Sequence, residues 1–147
     1  MTEQKVMAKR QEWMRVLARA GQELLQFEAE LAPYEYRYIR KPETGMVMAR
    51  GAMGGRGQAF NVGEVTVTRC VVRMADGAMG YSYVLGRSVR QAELAAVVDG
   101  LLQGTEADFW FEKIIMPLLQ GQQQRRQRRE QEVAGSKVNF FTMVRGD

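Results

Sequence analysis

The stretch Glu64-Val-Thr-Val-Thr-Arg-Cys-Val-Val-Arg-Met74, then Ala75-Asp76-Gly77, then Ala78-Met-Gly-Tyr-Ser-Tyr-Val-Leu85, decides the fold class. Val65, Thr66, Val67, Thr68, Val71 and Val72 are branched at Cβ, which restricts χ1 and suits a pleated strand better than a helix. Asp76-Gly77 is a strong turn dipeptide because glycine adopts positive φ without steric cost. Tyr81 and Tyr83 then alternate with small residues, the period of a returning strand. The segment therefore predicts an antiparallel hairpin over residues 64–85.

Upstream, Tyr34, Tyr36 and Tyr38 alternate with Glu35, Arg37 and Ile39, a second period-two signal. Pro42 to Gly45 reads as a turn and Met46 to Met53 as a further strand, giving a four-stranded antiparallel meander over 34–87. Before it, residues 4–20 carry Trp13, Met14 and Leu17 at helical spacing. Gly21 breaks that helix, residues 22–31 form another around Leu24, Leu25 and Leu31, and Pro33 ends it. After the sheet, Ser88 and Gln91 fit a capping box. Helix 90–103 then offers the small face Ala92, Ala95, Ala96, Val98 and Leu102 for close packing on the sheet.

Residues 106–116 are apolar and aromatic, and Pro117 marks a break or a helix start. Residues 118–133 read as a helix without an apolar face from Gly121 to Glu132, as expected of one that bridges bodies or is held by a partner. The tail 135–147 reads as extended and apolar: either a fifth strand of the same sheet or a segment that adds to a partner. The whole is an α+β domain over 1–147. It has a helical part at 1–33, an antiparallel sheet of four to five strands at 34–87, helices at 88–134, and the tail.

The chain has 147 residues, 46% apolar and 26% charged, the balance of an ordinary globular protein. No apolar run approaches the ~20 residues that cross a bilayer, and the N-terminus lacks a secretory h-region, so a cytoplasmic location is expected. Cys70 is the single cysteine and there is no histidine. A Cys/His zinc site, an imidazole base, a Ser–His–Asp triad and a self-contained iron–sulfur cluster are thereby excluded. With no clustered carboxylates, neither a metal site nor catalytic residues are expected. The net charge of +4 is local: residues 1–120 hold fifteen basic and fourteen acidic side chains, residues 121–147 six and three. The excess centres on Arg125, Arg126, Arg128 and Arg129. These read as a solvated helix face or, alternatively, as a nucleic-acid contact, though glutamines and not aromatics are interleaved with them.

Two groups are candidates for phosphate binding. Arg50, Gly54, Gly55 and Gly57 lie in a glycine-rich connector whose backbone N–H groups could cradle an anion, although it lacks the ending of a P-loop. Such glycine clusters more often only turn the chain, so it reads first as a turn-rich connector or an interface loop, and otherwise as an anion cradle or the site of a small ligand-binding domain. Arg69, Arg73 and Arg87 lie on or near the last two strands. Read on a face with Val65, Val67 and Val71, Arg69 and Arg73 need partners, since unpaired buried charge is costly. A phosphate, a partner's carboxylate, or Glu64 or Asp99 would serve. Cys70 reads as a small buried strand residue. Val138, Phe140, Phe141, Met143 and Arg145 are the partner-interface candidates.

Five segments together resemble the PhnG family of phosphonate metabolism proteins: RQEWMRVLARA (10–20), ETGMVMARGAMGGRGQAFNVGEVTVTRCVVR (43–73), GYSYVLGR (80–87), AELAAVVDGLL (92–102) and VNFFTMVRGD (138–147). The resemblance implies a G subunit of a symmetric carbon–phosphorus lyase core complex, present as homodimeric copies beside PhnH, PhnI and PhnJ. It implies a step in which a phosphonate attacks ATP at the ribose, displaces adenine and yields a ribose 1-phosphonate 5-triphosphate. In that family PhnI is held to carry the nucleoside chemistry and PhnJ the radical cleavage. The G subunit is then an accessory, non-catalytic companion, with ATP and phosphonate as substrates of the complex and no cofactor of its own. No membrane and no nucleic-acid partner are expected from this reading.

Overall fold

A computed structural model describes the backbone of residues 3–52 and 59–145, and the side chains of 4–48 and 63–135. Its centre is helix α3 (Val89–Leu101), buried from Gln91 to Gly100. A helix apolar on nearly every side needs cover on every side. One side lies on a three-stranded antiparallel sheet, in the order β1 (Tyr36–Ala52), β2 (Ala59–Met74), β3 (Met79–Leu85). The other side meets α1 (Glu3–Ala18), a 3₁₀ segment (Gly21–Phe27) and α2 (Glu28–Leu31). Trp13, Val16, Leu17, Leu24 and Leu31 close the core from that side. After α3 come α4 (Ala107–Trp110), a π-helical turn (Phe111–Ile115) and α5 (Met116–Arg145). Pro117 lacks the N–H that an uninterrupted α-helix would send to Lys113, and the bond spacing changes just upstream of it.

The predicted hairpin is present. Arg73 faces Met79 and Val67 faces Leu85, and Gly77 at the turn has φ +94°. Asp76 caps the turn by accepting the Ala78 N–H at 2.9 Å. Ser88 caps α3, its hydroxyl accepting the Gln91 N–H at 3.3 Å.

The sheet has three strands, not the expected four or five. The two strands expected over 34–39 and 46–53, with a turn at Pro42, are one strand, Tyr36–Ala52. The register shifts by one residue between Tyr38 and Arg40 and again between Arg40 and Glu43. Pro42 therefore sits in an edge-strand bulge, where its missing N–H breaks no ladder bond, and the chain bends instead of reversing. The expected extended tail also differs: the helix begun at Met116 runs on to Arg145. Continuing an existing helix costs far less than nucleating a new element, and the roughly 1 kcal/mol penalty of Gly135 does not stop it.

β3 pairs with β2 only over Val67–Arg73, whereas β1 and β2 pair out to Ala52 and Ala59. From Met46 and Thr66 outward the sheet is a two-stranded arm. Met46 and Met48 lie opposite Thr66 and Glu64, on the face that nearer the body buries Thr68, Cys70 and Val72. Past the end of the helix layer the described residues leave this face open, and Met46 and Met48 are 60% and 52% exposed.

Candidate functional site

The sequence candidates divide into four places. Arg50 pairs with Asn61 in the β1–β2 ladder, while Gly54, Gly55 and Gly57 fall outside the described residues. Arg69 and Arg73 are exposed on the sheet face turned away from α3. That corrects the expectation of a burial needing partners: the core face carries the even-numbered residues Thr68, Cys70, Val72 and Met74. The sheet spaces Arg69 and Arg73 four residues apart, about 13 Å along the strand. Arg69 faces Glu43 and Tyr83 across the strands, and Arg73 faces Arg37 and Met79. Arg87 is exposed in the connection before α3. These arginines therefore do not converge on one anion. Val138, Phe140, Phe141, Met143 and Arg145 all belong to the backbone of α5.

Asp99, offered as a partner for the strand arginines, is committed elsewhere. It is fully buried on α3 and accepts from Arg10 Nη2 at 2.8 Å, Trp13 Nε1 at 2.8 Å and the Tyr81 N–H at 2.9 Å. Those bonds join α1, α3 and β3, and the hydrogen bond to Asp99 raises the Arg10 pKa above its ordinary value. Glu93 anchors a second network, accepting from the Tyr36 hydroxyl and lying 3.1 Å from Arg90 Nη1. Arg90 also bonds Glu28 at 2.6 Å. Burial acts to raise the Glu93 pKa, but the Tyr36 hydroxyl and Arg90 outweigh it and hold the carboxyl below its ordinary value. Burial, then the bond to Glu93, pushes the Tyr36 hydroxyl up to about 12. Burial pushes the Cys70 thiol up to about 11, the state of an inert core thiol.

Both networks tie packed layers together, with every charge answered. Neither is a nucleophile beside a base, the arrangement that covalent catalysis requires. Among the described residues no three Asp, Glu or Cys side chains converge as metal ligands, and no helix is long and apolar enough to cross a membrane.

A different group of arginines does converge. Arg15 of α1 and Arg19, in the turn just after it, face Arg125, Arg126 and Arg129 of α5 across a cleft of about 540 Å³. Gln122 Nε2 donates to the Val16 carbonyl at 3.0 Å, which ties α5 to α1, and Arg125 bonds Glu23, which ties α5 to the 3₁₀ segment. The basic run at 125–129 was legible in the sequence, but its opposition to Arg15 and Arg19 was not. Their spacing of four residues within the expected helix 4–20 was the available signal.

A small α+β protein with an uncovered strand arm, a long projecting helix and structurally committed carboxylates has the features of a component of a larger assembly. The family model described as phosphonate metabolism protein PhnG matches residues 8–146, and the chain belongs to that family. It is 40% identical over 142 residues to the alpha-D-ribose 1-methylphosphonate 5-triphosphate synthase subunit PhnG of Rhizobium meliloti (strain 1021), covering 95% of this chain and 91% of that protein.

Proposed function

We propose that this chain is an accessory, non-catalytic subunit of a cytoplasmic carbon–phosphorus lyase assembly. It is required with its partners for the attack of a phosphonate on ATP that releases adenine and forms a ribose 1-phosphonate 5-triphosphate. The partners are the PhnI, PhnH and PhnJ subunits, with homodimeric copies of this chain in the assembly. ATP and the phosphonate are substrates of the complex, and this chain contributes no cofactor. The observation that carries the reading is the arm: Met46 and Met48 continue the core-facing side of the sheet beyond the cover that the described residues supply. A two-stranded ribbon is marginal alone in water, so this one is built to be completed by another surface. Complete absence of histidine and the structural commitment of Asp99 and Glu93 agree with chemistry supplied by another subunit.

The test incubates ATP and methylphosphonate with the purified chain, with its partner subunits, and with both together, while released adenine is followed by chromatography. Release only from the combined sample is expected. Turnover by this chain alone, or full turnover by the partners without it, overturns the reading.

A further inference from the structure

We propose that the cleft between α1 and α5 binds the oligophosphate group of a small molecule. The lining carries five guanidinium groups: Arg15 and Arg19 on one wall, Arg125, Arg126 and Arg129 on the other. On α5, Arg125 and Arg126 each lie three or four residues from Arg129, which brings these arginines to neighbouring positions of one side of the helix. Arg125 is answered by Glu23. Among the described residues no carboxylate lies within ion-pair distance of Arg15, Arg19, Arg126 or Arg129. Glu12 is the one carboxylate in the lining, and Gln11 and Gln123 add amide donors.

Like charges repel, so five arginines gathered around one cleft favour an anion between them. Guanidinium groups meet phosphate oxygens through paired N–H bonds, and several phosphates in a row match several forks. Ala8, Val16 and Leu119 add apolar surface to the lining. A volume of about 540 Å³ falls within the roughly 300–1,000 Å³ of small-molecule sites, and the concave shape differs from the broad basic stripe that tracks a nucleic acid. This inference goes beyond the accessory role, which needs no ligand on this chain, and the adenine-release assay fails or succeeds independently of it.

Calorimetric titration of the full chain at low salt, with sodium tripolyphosphate, ATP and AMP as separate ligands, tests the site. Saturable binding of tripolyphosphate and ATP, with AMP at least about tenfold weaker, is expected, as is loss of affinity on adding sodium chloride. Equal affinity for tripolyphosphate and ATP assigns recognition to the phosphates alone, and tighter ATP binding makes a nucleotide the source. Arg15→Gln with Arg126→Gln should weaken both by about tenfold or more, as expected when charge-assisted bonds are lost. Arg69→Gln with Arg73→Gln, on the distant sheet face, should change neither. These four side chains are exposed, so the variants keep the fold, which circular dichroism checks. No heat with tripolyphosphate at millimolar concentration overturns the proposal. So does unchanged affinity in the Arg15/Arg126 variant, or saturable binding of a single-stranded oligonucleotide but not of tripolyphosphate.

Discussion

Gly80 of β3 rests directly on the backbone of α3 at Ala96. A Cβ placed on Gly80 would penetrate the Ala96 carbonyl oxygen and come within 3.0 Å of the Gly100 amide nitrogen. Both neighbours are backbone atoms of a buried helix, so neither can step aside alone. Gly80→Ala should therefore cost about 3 kcal/mol or more, at the upper end of overpacking changes. For a domain of this size that lowers the melting temperature by roughly 6–12 °C. Gly45→Ala is the matched control, because a Cβ there meets nothing within 4 Å. It should stay within about 0.5 kcal/mol of the parent. Thermal unfolding of the two variants checks the pair, and equal melting temperatures would contradict the direct packing of β3 on α3.

Asp99 offers a second test, because its carboxylate is the shared acceptor of three elements. Asp99→Leu removes the acceptor and leaves the Trp13 Nε1–H, the Tyr81 N–H and the Arg10 guanidinium competing for none. Breaking a buried charge network from one side costs about 3–5 kcal/mol. Asp99→Asn keeps one acceptor oxygen and should lose less. Denaturant unfolding should rank the parent above Asp99→Asn and that above Asp99→Leu. An Asp99→Leu variant as stable as the parent would show that the network contributes nothing to the fold.

These two cases also mark what the sequence disclosed. The turn at Asp76-Gly77 and the cap at Ser88 were legible because each is specified within a few residues. The small-residue face of α3 was legible too, though not that Gly80 would press on it. Merging of the first two expected strands was not, because Pro42 and Gly45 carry turn chemistry that the pairing with β2 overrides. Arg69 and Arg73 share a face with Val65, Val67 and Val71, which suggests burial, and only the cover supplied by α3 decides which face is inside. Asp99 finds Trp13 and Arg10 at separations of 86 and 89 residues, beyond the reach of any local pattern. The arginine cleft has the same character, since its two walls come from opposite ends of the chain.

The Tyr36–Glu93 contact makes stability depend on pH at both extremes. Tyr36 has its pKa raised from 10.0 to about 12, by burial first and by the bond to Glu93 second. A raised value means the folded state holds its proton where the unfolded state has released it. The contribution is complete below about pH 10 and is lost as pH rises toward 12. Glu93 has the opposite sign: its lowered value contributes stability above the unfolded carboxyl range that is lost as pH falls through the folded value. Tyr36→Phe should flatten the alkaline decline and shift the acid transition upward in pH, both read by urea unfolding across a pH series. An unchanged alkaline limb would remove Tyr36 as its cause.

The core thiol makes a kinetic prediction. Cys70 is fully buried and its thiol is pushed up to about 11 by burial, so little thiolate exists at neutral pH and reagent has no access. A disulfide-exchange reagent should therefore label Cys70 only as fast as the protein opens, and quickly in denaturant. Gly80→Ala should accelerate labelling in step with its loss of stability, as expected when reaction tracks the open population. Rapid labelling of the native parent would contradict the burial of β2 beneath α3.

The arm separates stability from assembly. Met46 and Met48 are largely exposed, so Met46→Ser with Met48→Ser removes little buried surface from the isolated chain. Its melting temperature should stay within about 2 °C of the parent, as for surface changes generally. Under the proposed accessory role these side chains are covered by another subunit, where two buried methionines contribute about 1.5–3 kcal/mol each. The same variant should then weaken co-purification with PhnI and reduce adenine release by the reconstituted complex. Deleting residues 138–147 asks the matching question of α5, whose side chains from Gln123 to Gly135 are all exposed. A helix whose described exposed stretch alone runs about 20 Å is marginal without a second surface. If both variants associate as the parent does, partners use neither projection, and the uncovered core-facing side of the arm loses its explanation. If only the methionine variant fails, the arm is the docking element and α5 is free to serve the cleft at its base.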